Sequence, residues 1–106
     1  MLKDMDARNH GDLVWTGTPA DPEDLLDAGV DPPAAEVEAL LSRGRPVKVT
    51  VTGSDSGALA AAAVYAWLGV SAFRFAGDPG ELRQILDMVA SIAGARPPAV
   101  GRRALA

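Results

Sequence analysis

The sequence has no cysteine and only one histidine, His10. The first absence excludes disulfides, thiolate metal ligands and cysteine nucleophiles. A single histidine leaves little room for histidine-based catalysis or zinc chemistry, and His10 lies in a polar stretch where a solvated side chain is the simpler interpretation. We therefore expect neither a metal ion nor a cofactor.

Aromatic residues are scarce (5%), and there is no excess of basic charge. Ten Lys and Arg against fourteen Asp and Glu leave a formal charge of −4. Because nucleic acids and anionic membranes attract basic surfaces, this balance argues against both as partners. No apolar run reaches the roughly 18 residues of a membrane span, and early acidic residues interrupt any signal-peptide core. We expect a cytoplasmic protein.

A chain of 106 residues has room for one domain, and a hydrophobic share of 48% is that of a globular protein. We expect residues 1–106 to form a single domain with extended tails at 1–11 and 95–106. Three Asp-Pro pairs indicate helix starts, because the carboxylate caps free N–H groups and proline suits the first helical position. The first pair predicts one or two helical turns over 21–29, and the others predict helices over 32–43 and 79–93.

Short apolar runs and alternation predict the strands. Residues 13–15 form an apolar run, 47–51 alternate valine with polar residues, and 71–76 place two phenylalanines on one face. An apolar helix over 58–68 separates the last two strands. The resulting order, βαβαβα, predicts an α/β fold of three consecutive βα units with a small parallel sheet.

The helices are expected to cover the sheet face that bears the valines of 47–51 and both phenylalanines. The opposite face is expected to bear Val14, Thr16, Lys48, Thr50, Thr52, Ala72, Arg74 and Ala76. On this face Lys48 and Arg74 are candidate ligands for an anion.

The segment 53–57 reads Gly-Ser-Asp-Ser-Gly and lies between a strand and a helix. Backbone N–H groups at such a helix start can hold a phosphate, so Gly53, Ser54 and Ser56 join the candidate anion site. The lysine of a P-loop is absent, however, and Asp55 would repel an anion. The favoured alternative is a glycine-shaped turn in which Ser54 or Asp55 caps the helix.

The predicted helix over 58–68 has no polar side. Val64, Tyr65, Trp67 and Leu68 cannot all point in one direction. Because large apolar side chains are costly to leave in water, we expect some of these four to contact a second chain.

The chain from Pro46 onward resembles the C-terminus of dihydropteroate synthase, in particular divergent actinobacterial paralogues of that family. The similarity is carried by Leu-Asp-Met-Val-Ala-Ser-Ile-Ala-Gly-Ala-Arg-Pro-Pro at 86–98 and Arg-Ala-Leu-Ala at 103–106. Ala-Phe-Arg-Phe at 72–75 resembles the family's last strand, and 57–69 its alanine-rich seventh helix.

The resemblance implies a fold like the last three βα units of a (β/α)8 barrel, and a context of pterin binding and folate biosynthesis. The family's seventh strand ends in Ser-Arg-Lys or Ser-Asn-Lys, where this chain has Thr52, Gly53 and Ser54. The eighth strand carries Arg-x-His, of which Arg74 is retained and the histidine is replaced by Ala76. The resemblance therefore implies no independent synthase activity.

Three functions are open at this point. The first is a non-catalytic interaction module that self-associates or docks on a full-length relative, since the family dimerises through the corresponding helices. The second is a small protein that binds a pterin-like or phosphorylated ligand. The third is a partial synthase that a second chain completes. We expect a homodimer built on helix 58–68, because a sheet-to-sheet contact would bury Lys48 and Arg74 without carboxylate partners.

Overall fold

A computed structural model describes residues 13–95 of the protein. Its strands are β1 (Val14–Trp15), β2 (Leu26–Val30), β3 (Val47–Val51) and β4 (Ala72–Phe75), and its helices are α1 (Ala34–Leu41), α2 (Ser56–Leu68) and α3 (Pro79–Ala95). The predicted tails lie outside the described residues, except for Ala95, which belongs to α3. His10 also lies outside them.

The described residues form an α/β fold, which confirms the predicted class. A small mixed sheet has the strand order β1-β4-β3-β2, and three helices pack on it. β2, β3 and β4 run parallel, whereas β1 is antiparallel to β4. The prediction of a wholly parallel sheet is therefore wrong for β1. Only a 3-10 turn, and no α-helix, joins β1 to β2 in the described chain, so the helical crossover that brings two strands into one direction is missing there.

The helix predicted over 21–29 is wrong, because the segment holds only a short 3-10 turn and its last four residues belong to β2. The Asp21 side chain caps only a 3-10 turn, Pro22–Asp24, and β2 follows it. Leu26, Ala28 and Val30 recur at every second position, which is the period of a strand. Pairing with the edge of β3 outweighs the helix signal of the Asp-Pro pair.

The helices cover one face of the sheet, as predicted. The core consists mainly of strand valines and one phenylalanine packed under side chains from all three helices: Val37, Val47, Val49, Val51, Ala58, Ala62, Tyr65, Val70, Phe73, Leu82 and Leu86. Val14 also belongs to this core, because it lies opposite Phe73 and is only 6% exposed. Its predicted place on the opposite face is wrong.

α2 ends at Leu68 as predicted and begins at Ser56, two residues before the predicted start. The Asp55 side chain accepts a 3.0 Å hydrogen bond from the Ala58 N–H at the start, and Gly69 adopts φ 120° at the end. α3 begins at Pro79 as predicted and continues through Gly94 to Ala95. Within residues 13–95, each helix is too short or too polar to cross a membrane.

Candidate functional site

A pocket of about 280 Å³ opens at the carboxyl ends of β3 and β4. Its lining comes from the ends of these two strands and the loops that follow them: Thr50, Val51, Thr52, Gly53, Arg74, Phe75 and Ala76. In parallel α/β sheets this end of the strands is where ligands bind. Of the five predicted anion ligands, the pocket brings together Arg74 and Gly53.

Arg74 is the cation in this pocket lining. It lies on β4 opposite Thr50 of β3, on the sheet face turned away from the helices. Its Nε atom is enclosed and has no hydrogen-bond partner among the described residues. An enclosed donor without an acceptor costs about 1–3 kcal/mol.

Lys48 shares the sheet face of Arg74 but is already engaged. Its Nζ lies 3.3 Å from Oδ2 of Asp27, its neighbour on β2. Burial alone would raise the pKa of Asp27, but the Gly29 N–H and the charges of Lys48 and Arg74 hold it below its usual range. Lys48 therefore has the carboxylate partner that the sequence did not reveal, and it is not part of the pocket lining.

The loop 53–57 is the glycine-shaped turn favoured by the sequence. Gly53 adopts φ +84°, a conformation in which a side chain would be strained, and it leads into the Asp55 cap of α2. Ser54 and Ser56 are exposed and lie outside the pocket lining. The loop thus contributes Gly53 to the site and does not bring its serines into it.

Asp31 is a site residue that sequence analysis missed. Its side chain does not cap α1, which starts only at Ala34. Instead Oδ1 accepts a 3.1 Å hydrogen bond from the Thr52 N–H, and Oδ2 accepts one from the Thr52 hydroxyl. Asp31 also has a positive φ of 44°, which is uncommon for a residue other than glycine. No local signal identifies this role, because the sequence predicts helix over 21–29 and the contact with Thr52 requires β2 beside β3.

The four predicted interface residues of α2 have different surroundings. Tyr65 is buried, and its OH donates a 2.7 Å hydrogen bond to the carbonyl of Pro32, so it ties α2 to the segment before α1. Leu68 is half-buried and packs against the core. Val64 and Trp67 are the two that lie exposed on the protein surface.

Residues 13–95 contain no group of three or more His, Asp or Glu side chains arranged to hold a metal ion. Comparison of the chain with protein-family models, with curated proteins and with solved structures finds no match. Function must therefore be inferred from the geometry of the site and the surface.

Proposed function

We propose that this chain is a non-catalytic, cytoplasmic interaction module of the dihydropteroate-synthase type. It self-associates through the outer surface of α2 and α3. The alternative partner for the same surface is a full-length relative of the synthase family. The supporting observation is a set of large apolar side chains that are 42–58% exposed on these two helices: Val64, Trp67, Met88 and Ile92.

The spacing of these side chains gives each helix one apolar side. Val64 and Trp67 are three residues apart and Met88 and Ile92 are four apart, so each pair shares a side of its helix. α2 and α3 also pack against each other. A stable dimer contact covers about 800 Å² per partner, and the two helices, about 20 and 26 Å long, supply much of that area.

The finer fold assignment, a counterpart of the last three βα units of a (β/α)8 barrel, belongs to the same proposal. β2, β3 and β4 are parallel, lie side by side in chain order and are each followed by a helix, which supports it. β1 departs from it, because barrels of this type contain only parallel strands.

Size-exclusion chromatography with light scattering at micromolar protein concentration tests whether the chain self-associates. We expect a dimer mass for the wild type and a single-chain mass for Val64→Glu. Thr18→Glu, an equal charge change at an exposed loop position, is the control and should remain dimeric. A wild-type mass of one chain contradicts self-association, and co-elution with a full-length synthase then decides whether a relative is the partner.

A second candidate function is the binding of a small anion, pterin-like or phosphorylated, in the pocket. The unpaired Nε of Arg74 is the observation that favours it. A thermal-shift screen with pterins, pyrophosphate and p-aminobenzoate tests it. We expect a ligand-induced rise in the unfolding temperature that Arg74→Gln abolishes and Arg83→Gln, at an exposed position of α3, preserves. No rise with any ligand contradicts this function.

A partial synthase completed by a second chain is the third possibility, and it shares the pocket. Ala76 lines the pocket where the family carries histidine, so the isolated chain lacks that polar group. We expect no dihydropteroate formation by the chain alone. Turnover above a no-enzyme control contradicts the non-catalytic assignment.

A further inference from the structure

We infer that the pocket at the ends of β3 and β4 prefers a small monocarboxylate to phosphate. This inference rests on the anion site at Arg74 proposed as the second candidate function, and it replaces the phosphorylated ligand of that proposal with a carboxylate. The enclosed Nε of Arg74 has no acceptor among the described residues, and the guanidinium is planar. Its fork of N–H groups matches the two coplanar oxygens of a carboxylate.

The donors at the end of β3 are already used by one of the protein's own carboxylates. Asp31 accepts hydrogen bonds from both the N–H and the hydroxyl of Thr52. Because Thr52 lines the pocket, this carboxylate lies at the pocket's edge. A phosphate needs donors for three oxygens, and it finds these two occupied.

At the N-termini of α2 and α3, free N–H groups are likewise hydrogen-bonded to carboxylates of the protein itself. Oδ1 of Asp55 accepts the Ala58 N–H at 3.0 Å, and Oδ1 of Asp78 accepts the Gly80 N–H at 2.8 Å. Each of these aspartates lies two residues beyond the last pocket-lining residue of its loop. Helix starts usually attract phosphate, but here each one already carries a fixed negative charge.

The charges around the pocket therefore favour a ligand with one negative charge. A carboxylate follows each of β2, β3 and β4, whereas the pocket lining contains one guanidinium, that of Arg74. Lys48 adds little attraction, because Asp27 lies 3.3 Å from it. Coulomb repulsion from the three carboxylates is twice as large for a doubly charged phosphate as for a carboxylate at the same place. Binding of a carboxylate also needs only one bidentate partner.

The rest of the lining suits a short hydrocarbon chain. Val51 and Phe75 line the pocket together with Arg74, so apolar surface lies beside the charged group. A volume of about 280 Å³ holds a ligand of a few carbon atoms. The ligand class is therefore a short-chain monocarboxylate, with its charged end on Arg74.

NMR titration of the ¹⁵N-labelled full chain tests the inference. Sodium propionate and sodium phosphate are the two probes, at neutral pH and constant ionic strength, and the reporter is the Nε–H resonance of Arg74, assigned by its loss in Arg74→Lys. We expect a saturating shift with propionate, at a concentration at least about tenfold lower than any shift with phosphate. This comparison uses the wild type, so it depends on no variant folding correctly.

If phosphate binds more tightly than propionate, the inference is overturned, but the proposal of an anion site at Arg74 is still supported. No shift of the Arg74 resonance with either probe overturns both. Asp31→Asn removes one repelling charge and should tighten phosphate binding about tenfold. Asp87→Asn, the same change at an exposed position of α3, should alter neither affinity. An unchanged preference in Asp31→Asn also overturns the inference.

Discussion

At the residue scale, Gly77 lies where two loops and an aromatic ring meet. A Cβ atom at this position would lie 2.7 Å from the Phe75 ring and 3.0 Å from Cβ of Ser54. The absence of a side chain thus allows the loop after β4 to approach the loop after β3 beside the pocket. We predict that Gly77→Ala lowers the free energy of unfolding by about 1–3 kcal/mol, measured by urea denaturation.

Gly94→Ala is the matched control for this prediction. A Cβ at Gly94 would have no neighbour within 4 Å, and the residue lies in α3. Because alanine favours helix over glycine, the substitution should leave stability unchanged or raise it by up to about 1 kcal/mol. Equal destabilisation by the two substitutions would refute the close-contact explanation.

Tyr65 is the only tyrosine of the sequence, so its ionisation can be followed by absorbance without interference. Burial raises the pKa of Tyr65 above its usual 10.0, and the Asp31 carboxylate raises it further. Because the native pKa exceeds the unfolded one, this group's contribution to stability is present below pH 10 and is lost as the pH rises through the native pKa.

We predict a tyrosinate midpoint above 10.0 in the native protein and a lower midpoint in urea. Asp31→Asn should lower the native midpoint while leaving it above the unfolded one, since burial is the larger cause. A native midpoint equal to that in urea would show that Tyr65 is not buried.

At the scale of elements, the stability of α2 depends on the cap at its N-terminus. Most of its residues are alanine or apolar, and the Asp55 carboxylate supplies the acceptor for a free N–H of its first turn. We predict that Asp55→Ala lowers the free energy of unfolding by about 0.5–2 kcal/mol. Asp55→Asn keeps an acceptor oxygen and should retain most of the stability. If the two variants have the same free energy of unfolding in urea, the side-chain cap does not stabilise the start of α2.

The sheet edges discourage pairing with another chain. β1 covers the edge of β4 with only two residues. The edge at β2 is irregular, because its pairing with β3 shifts between Asp27 and Val30, and Oδ1 of Asp27 accepts the Gly29 N–H at 2.9 Å. Short and irregular edge strands are poor templates for added strands. These features favour the helical surface over the sheet edges as the contact between chains.

At the scale of the whole molecule, self-association links stability to concentration. A folded dimer in equilibrium with unfolded monomers has an unfolding temperature that rises with protein concentration. We predict this rise for the wild type and for Thr18→Glu, and a concentration-independent temperature for Val64→Glu, by calorimetry. Because the proposed contact is apolar, added salt should change the association little. A concentration-independent wild type would contradict the proposed dimer.

The three α-helices, the two central strands and the exclusion of thiol chemistry were predictable from the sequence. These features depend on short-range signals, so they can be read locally. Alternating valines define β3, and Asp55 and Gly69 bound α2 within a few residues of its ends. The anion candidate Arg74 was identified in the same way, from its place on the last strand.

The direction of β1, the presence of β2 and the partners of the charged residues depend on residues distant in the chain, so only the folded arrangement reveals them. The same Asp-Pro signal gives a helix cap at Asp78 but a link to Thr52 at Asp31, since β2 and β3 end side by side. The burial of Tyr65 likewise depends on Pro32, which precedes another helix. A strand forms only beside a neighbouring strand, and a side chain is buried only when other parts of the chain cover it. No local sequence pattern specifies either the neighbouring strand or the covering residues.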